Sequence, residues 1–250
     1  MRLVRPLYRS ASRYFAARAA YRLFRDEFHQ FRELSKKNPR LSVTWQDRQP
    51  ELSDRTSSHG FDAHYVYHTA WAARILAELM PDRHVDISSY LYFSTLVSAF
   101  LPVDFYDYRP AAIYLSNLTT RSADLLSLPF QDRSVRSLSC MHVVEHVGLG
   151  RYGDALDPDG DLKAMAELQR VIAPGGSLLF VVPVGRPRVV FNAHRIYSIN
   201  QVKSALGELV LQRFDLIPDH AREGMISNAS GELADRQNFA CGCFWFKRKE

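Results

Sequence analysis

The sequence predicts an α/β fold: a doubly wound, mostly parallel seven-stranded sheet preceded by an N-terminal helical extension. Three observations carry this. From 84 to 246, short apolar runs alternate with segments of helical periodicity, the pattern of a parallel sheet with right-handed crossovers. Across 138–183 the chain reads strand, loop, helix, strand, and the apolar run 177–182 is too continuous for a strand with one wet face. Charge is also divided along the chain. The formal net charge is +5, yet through Arg40 eleven Lys and Arg face three acidic residues, a balance of +8, which leaves −3 for the rest.

The segment 7–34 carries Tyr14, Tyr21, Phe24, Phe28 and Phe31 along one helical stripe, with Arg18, Arg22, Arg25 and Arg32 on a neighbouring strip. Arginine interrupts it too often for a signal peptide. Such a helix can pack on its own domain or a second subunit, lie on an anionic membrane surface through residues 1–37, or serve as a transit peptide. The polar stretch 38–60, with Pro39, Pro50 and an isolated Trp45, reads as a linker or cap. The domain division is therefore a 1–40 arm, a 41–63 linker or cap, and a 64–250 α/β domain.

Val66, Ala70, Ala73, Ile75 and Leu79 predict a helix over 65–80, closed by Pro81. A strand over 84–88 is followed by a helix through Leu91, Thr95, Leu96 and Ala99, then a strand over 103–107 and a short helix over 109–118. The third and fourth strands are expected at 119–123 and 137–143. Leu162, Met165, Ala166, Leu168 and Val171 recur at three- and four-residue spacing, and Pro174, Gly175 and Gly176 are expected to end that helix and turn the chain into the fifth strand. A helix over 199–209 and strands over 210–217 and 239–246 complete the pattern.

Composition bounds the function. No apolar stretch approaches the ~20 residues of a membrane span. The main domain has no basic excess to bind nucleic acid. Cys140, Cys241 and Cys243 make no disulfide framework and offer no second pair for a zinc site, which fits buried thiols in a reducing, cytoplasmic compartment.

The motif LQRVIAPGG before the fifth strand, together with ADLLSLPFQDRSVRSLSCMHVVEH, resembles the class I S-adenosylmethionine-dependent methyltransferases over roughly 65–247. More narrowly, VVEHVGLGRYGD with FNAHRIYS looks like a bacterial methyltransferase-like branch of unknown function that occurs among proteins of cell-surface polysaccharide assembly. The resemblance implies the Rossmann-like methyltransferase fold, a late antiparallel strand, and S-adenosylmethionine as cofactor. No metal is expected.

Ligands in such sheets sit at the carboxyl ends of strands where the strand order reverses. On the cofactor side the resemblance implicates Asp86 and Ser88 at the end of the first strand, Asp107 after the second, Asp124 before LLSLPF, and His142 after the fourth. Asp107 lies near the offset at which a carboxylate meets ribose hydroxyls in dinucleotide-binding folds. Asp124 matches the acidic position that meets the adenine amino group in related enzymes; the alternatives are an ordinary turn aspartate for Asp107 and an Asx turn or helix cap for Asp124. The chain departs from the family after the first strand, where Ser88, Ser89, Tyr90 and Tyr92 replace the glycine-rich loop and no glycine occurs between Gly60 and Gly148. An ordinary turn capped by Ser88 or Ser89 is the alternative there.

His142, Glu145 and His146 spell H-x-x-E-H, but strand-like residues before it and glycines after it argue against the helix a peptidase needs. Glu145 and His146 are expected at the mouth of the fourth strand, where a histidine can take a hydroxyl proton. His194 is a second candidate base. Arg151 and Tyr152, in a loop expected to be flexible, and Arg186 and Arg195 are candidate substrate anchors; a plain solvated turn is the alternative for the Arg151 loop and helix-entry packing for Arg195.

These expectations point to methyl transfer onto a hydroxyl of a sugar-containing small molecule or glycan precursor. The rival is a non-catalytic methyltransferase-like scaffold in glycan assembly, and a homo-oligomer is compatible with either. A nucleotide-sugar enzyme is weaker, since Asp157 and Asp159 fall in a loop.

Overall fold

The computed structural model describes residues 5–57, 59–88, 90–221 and 224–250, with side chains from residue 14 onward. Ser89 lies outside the described residues. The chain divides into two units, Met1–Gly60 and Phe61–Glu250.

In the first unit, helix α1 (Arg5–Ser35) receives Trp45 from the following polar segment. The Trp45 ring sits 4.9 Å from Phe28, stacks on His29 at 6.0 Å, and carries the Arg48 guanidinium 4.4 Å above it. Arg55 also returns to α1, pairing with Glu27 at 2.9 Å. Of the expected aromatic stripe, Phe24 and Phe28 are partly covered, whereas Tyr14 and Phe31 stay exposed. No helix among the described residues is long and apolar enough to cross a membrane.

The second unit begins with α2 (Ala63–Leu79). Asp62 caps it by accepting the Tyr65 amide, and Met80 ends it in the left-handed conformation just before Pro81. There follow β1 (His84–Ser88), α3 (Leu91–Val97), β2 (Val103–Asp107), β3 (Leu118–Ser122), β4 (Val135–Met141), a single 3-10 turn Val144–His146, α4 (Gly160–Val171) and β5 (Ile172–Val184). The chain closes with β6 (Arg188–Val190), β7 (His194–Ile196), α5 (Ile199–Ala205), β8 (Leu209–Ile217), α6 (Gly231–Asp235) and β9 (Ala240–Arg248). Seven strands form one sheet in the order β3-β2-β1-β4-β5-β9-β8, in which β9 runs antiparallel to both neighbours and the remaining pairs are parallel. This is the doubly wound, Rossmann-like methyltransferase fold.

Alternation along β5 explains why its sequence is apolar throughout. Leu178, Phe180 and Val182 pack with Met165 and Leu168 of α4, while Leu179 and Val181 pack on the opposite face with Trp71, Ile75 and Leu76 of α2. Both faces are dry, and each fully buried side chain contributes roughly 1.5–3 kcal/mol. Trp71 is also tied by its indole N–H, which donates to buried Asp215 of β8 at 2.6 Å.

Three sequence expectations are corrected. Pro174, Gly175 and Gly176 do not end α4, which stops at Val171; the strand starts at Ile172 and carries the three residues as an irregularity where pairing with β4 shifts, with Gly175 at φ 70°. The helix expected over 109–118 does not form. Pro110 disfavours the helical conformation of Arg109, whose amide instead donates to Asp107 Oδ1 at 2.7 Å. The helix at 199 ends at Ala205 rather than 209. The hairpin β6–β7 was not expected, since three-residue strands leave too short a pattern to read.

Candidate functional site

A cleft of about 860 Å³ opens over the carboxyl ends of β1, β2 and β4. The strand order reverses between β1 and β4, so this is the switch point, and the volume lies within the ~300–1,000 Å³ of ligand sites. Ile87 and Ser88 end β1 at its floor, Asp107 stands at the end of β2, Asp124 follows β3, and His142 follows β4; the loop from His146 to Asp157 forms the opposite wall. A second groove, of about 810 Å³, is lined by Asp161, Arg195 and Tyr197. Their polar groups bind one another, since Tyr197 donates to Asp161 at 2.9 Å and Arg195 pairs with it at 3.4 Å, which leaves little there for a ligand.

Asp107 and Asp124 are alike. Each uses one oxygen in a turn, Asp107 Oδ1 accepting from the Arg109 amide at 2.7 Å and Asp124 Oδ1 from the Leu126 amide at 2.9 Å. Neither Oδ2 has a hydrogen-bond partner among the described residues, so each cleft carboxylate keeps an acceptor. Apolar Leu125 and Leu126 lie beside Asp124 in the lining.

Asp86 does not line the cleft. It is fully buried beneath it, where Ser88 donates to its Oδ2 at 2.9 Å, Ser94 donates to the same oxygen, and Ser139 donates to Oδ1. Having given its proton to Asp86, Ser139 must accept from His84 Nε2 at 2.9 Å; His84 Nδ1 then accepts from Ser137 at 2.8 Å. Burial holds His84 neutral, its pKa pushed down to about 3, and pushes the Asp86 carboxyl up to about 6 against the pull of the three hydroxyls. The end of β1 and the first residues of α3 are thus tied together from below by a serine network. Above it, Tyr90 precedes α3 without giving a side-chain cap and packs 5.0 Å from Tyr65.

The H-x-x-E-H residues diverge. His142 stands at φ 55°, a conformation rare outside glycine, and its Nδ1 donates to Glu145 Oε1 at 2.8 Å. Glu145 is 1% exposed and lies under the cleft rather than at its mouth. Burial works to raise its carboxyl, but the hydrogen bond from His142, with the His146 ring 3.9 Å away, prevails and holds it below the ordinary range. His146 turns elsewhere: its Nδ1 donates to the Ala193 carbonyl at 2.6 Å, which assigns the proton to Nδ1 and leaves Nε2 as the acceptor. Burial lowers its pKa, with Glu145 opposing, so the imidazole is neutral near pH 7. His142 and His146 share no helix face, and no peptidase clamp forms.

The loop after His146 is knit rather than loose. Asp154 accepts the amides of Gly148 at 2.8 Å, Gly150 at 3.3 Å and Tyr152 at 3.2 Å. Gly148 is required here, at φ 79° and with Asp157 O only 2.1 Å from where a Cβ would stand. Tyr152 lines the cleft with Arg151 5.2 Å and Arg109 5.1 Å from its ring centroid.

The other predicted anchors do not converge. Arg195 is buried and donates to the carbonyls of Val147 at 2.6 Å, Pro158 at 3.1 Å and Asp157 at 3.2 Å, so it holds the loop instead of facing substrate. Arg186 is exposed and outside the cleft lining. His194, its pKa lowered by burial, stacks on Phe239 at 4.7 Å and is also outside it. Sequence reasoning missed Arg109 and Asp154. Asp154 had a readable signal, an Asp just after three glycines in a short loop; Arg109 reaches the site only through the fold.

Over residues 131–235 the sequence matches a family model described as "Caenorhabditis protein of unknown function, DUF268". No curated protein matches the chain. The fold is similar to that of N-methyltransferase NodS from Bradyrhizobium japonicum WM9, solved in complex with S-adenosyl-L-homocysteine, at 15% identity and TM-score 0.52 over 73% of this chain and 86% of that one. It is similar also to the [4+2]-cyclase SpnF, at 14% identity and TM-score 0.51 over 72% of this chain and 81% of that one. At such identities the likeness is one of fold.

Proposed function

We propose that the chain binds S-adenosylmethionine in the cleft over β1, β2 and β4 and methylates a hydroxyl of a sugar-containing small molecule or cell-surface glycan precursor. The observation that carries this reading is the pair of half-engaged carboxylates, Asp107 and Asp124, at the strand ends of a switch-point cleft. Together they fit a nucleoside. Asp107 Oδ2 can accept ribose hydroxyls, and Asp124 Oδ2 can accept an exocyclic amine above Leu125 and Leu126. Bound S-adenosylmethionine would supply an electrophilic methyl carbon on a sulfonium.

The chain's own residues would orient the acceptor and take its proton. His146 lines the cleft and, with Nδ1–H held by Ala193 O, keeps Nε2, 3.9 Å from Glu145 Oε1, as the base that would receive a hydroxyl proton. Arg109, which lines the cleft against Tyr152, suits an acceptor that carries a phosphate or carboxylate, while Arg151, outside the lining on the same ring, donates to the Ala193 carbonyl at 2.9 Å. Much of the rate would come from positioning, since the leaving group is intrinsically reactive.

The narrower resemblance to a bacterial branch found among polysaccharide-assembly proteins supports the glycan context. A reducing cytoplasmic location, with the basic residues 1–37 touching the inner membrane surface, belongs to the same reading. One observation favours the non-catalytic rival: the glycine-free turn after β1, with Ser88 locked to Asp86, removes the usual backbone approach to the methionine moiety. SpnF, described as a cyclase, illustrates that this fold also serves other chemistry. Calorimetric titration with S-adenosylmethionine and S-adenosylhomocysteine is the test. Saturable heat supports the cofactor reading, and no heat with millimolar ligand refutes it.

A further inference from the structure

Beside the cleft, three residues far apart in the chain bring metal-binding atoms together: His64 from the first turn of α2, His142 from the loop after β4, and Cys241 from β9. One ligand atom from each lies within 4.8 Å of the other two. We propose that they bind a zinc ion, with the fourth tetrahedral position taken by water or by a group from the cleft.

Four observations support the assignment. His142 Nε2 and Cys241 Sγ are 3.4 Å apart, and a tetrahedral ion with ordinary Zn–N and Zn–S bonds needs a separation of about 3.5 Å. The opposite ring nitrogen, Nδ1, donates to Glu145 at 2.8 Å, the carboxylate–histidine arrangement that turns Nε2 toward a metal and fixes its tautomer. His142 stands at φ 55° in the turn that brings it here, a conformation few non-glycine residues adopt. Finally, Glu145 Oε2 is buried without a hydrogen-bond partner, so the carboxylate that orients His142 has an oxygen whose lost hydration no donor replaces and that a nearby cation would offset.

The donor set selects the ion. One thiolate and two imidazoles suit zinc, whereas magnesium and calcium require oxygen ligands. Binding exchanges the Cys241 thiol proton for the metal and releases that proton to solvent. The ion would clip α2 and β9 to the β4 loop, fixing the turn that carries Glu145 and His146. The inference does not depend on what fills the cleft. It also differs from the H-x-x-E-H reading, because His146 is bonded to Ala193 and takes no part.

The test is metal analysis of the intact protein purified without an affinity tag, followed by replacement with Co²⁺. The expected result is about one zinc per chain, and a cobalt form with a thiolate-to-metal charge-transfer band and the strong ligand-field bands of a tetrahedral site. Cys241→Ser should lose the thiolate band. Glu145→Gln should keep it while weakening zinc affinity about 10- to 100-fold. His64→Ala, at a half-exposed helix start, should fold normally by circular dichroism and lose at least about 10-fold in zinc affinity. No bound metal after dialysis against Zn²⁺, a thiolate band that survives Cys241→Ser, or wild-type affinity in His64→Ala each overturns the assignment. S-adenosylhomocysteine binding is measured on the same samples, so either result can be read without the other.

Discussion

Replacing Asp86 by Asn should remove a pH dependence of stability that the buried serine network creates. Burial pushes the Asp86 carboxyl from 3.8 to about 6, against hydrogen bonds from Ser139, Ser94 and Ser88. A shift of about two units corresponds to roughly 3 kcal/mol at about 1.4 kcal/mol per unit. The folded state holds the proton more tightly than the unfolded chain does. Its contribution is therefore fully present below about pH 4, falls as pH rises through 4 to 6, and is lost above about 6. Asn keeps the volume and cannot titrate, although its amide hydrogens must find acceptors among hydroxyls that now donate to a carboxylate, at about 1 kcal/mol per misplaced bond. Urea denaturation of both proteins, followed by tryptophan fluorescence across pH 4 to 7, measures this. The difference between them cancels carboxylates that titrate in the opposite sense, such as Glu145. Stability of the wild type relative to Asp86→Asn should fall by roughly 2–3 kcal/mol from pH 4 to pH 7. A difference constant to within about 0.5 kcal/mol would refute the account of this network.

Three further outcomes are expected. Trp71→Phe removes the 2.6 Å bond to buried Asp215 and should cost about 1–3 kcal/mol in chemical denaturation. Gly148→Ala forces a Cβ to within 2.1 Å of Asp157 O at φ 79°, so it should lower the melting temperature and loosen the cleft wall, read as faster amide exchange at Gly148 and Gly150. His146→Gln should lower methyl-transfer rate about 100-fold or more while leaving S-adenosylhomocysteine affinity within about twofold; parallel loss of both would contradict its role as base.

The fold was legible because β5 must be dry on both faces and α4 is amphipathic, and both properties reside in local spacing. The start of β5 was misread because proline and two glycines usually stop a helix, whereas here they shape a strand irregularity beside β4. Asp107 and Asp124 could be found by their position after strands. Asp86 could not be told from them, since which face of β1 carries a side chain depends on the register with β4 and on Ser94 and Ser139 arriving from elsewhere. Arg195 resembled a substrate anchor, yet three carbonyls at 158 and before surround it. The meeting of His64, His142 and Cys241 is likewise invisible in sequence, because residues separated by 78 and 99 positions carry no common spacing signal.

The central claim is that the switch-point cleft holds a nucleoside between Asp107 and Asp124. Isothermal titration of S-adenosylhomocysteine into the wild type and Asp107→Asn tests it most directly. Saturable binding at one site, weakened about 10-fold or more by Asp107→Asn in a variant of unchanged circular dichroism, is the predicted result. Absence of binding to the wild type, or equal affinity in the two proteins, would contradict it.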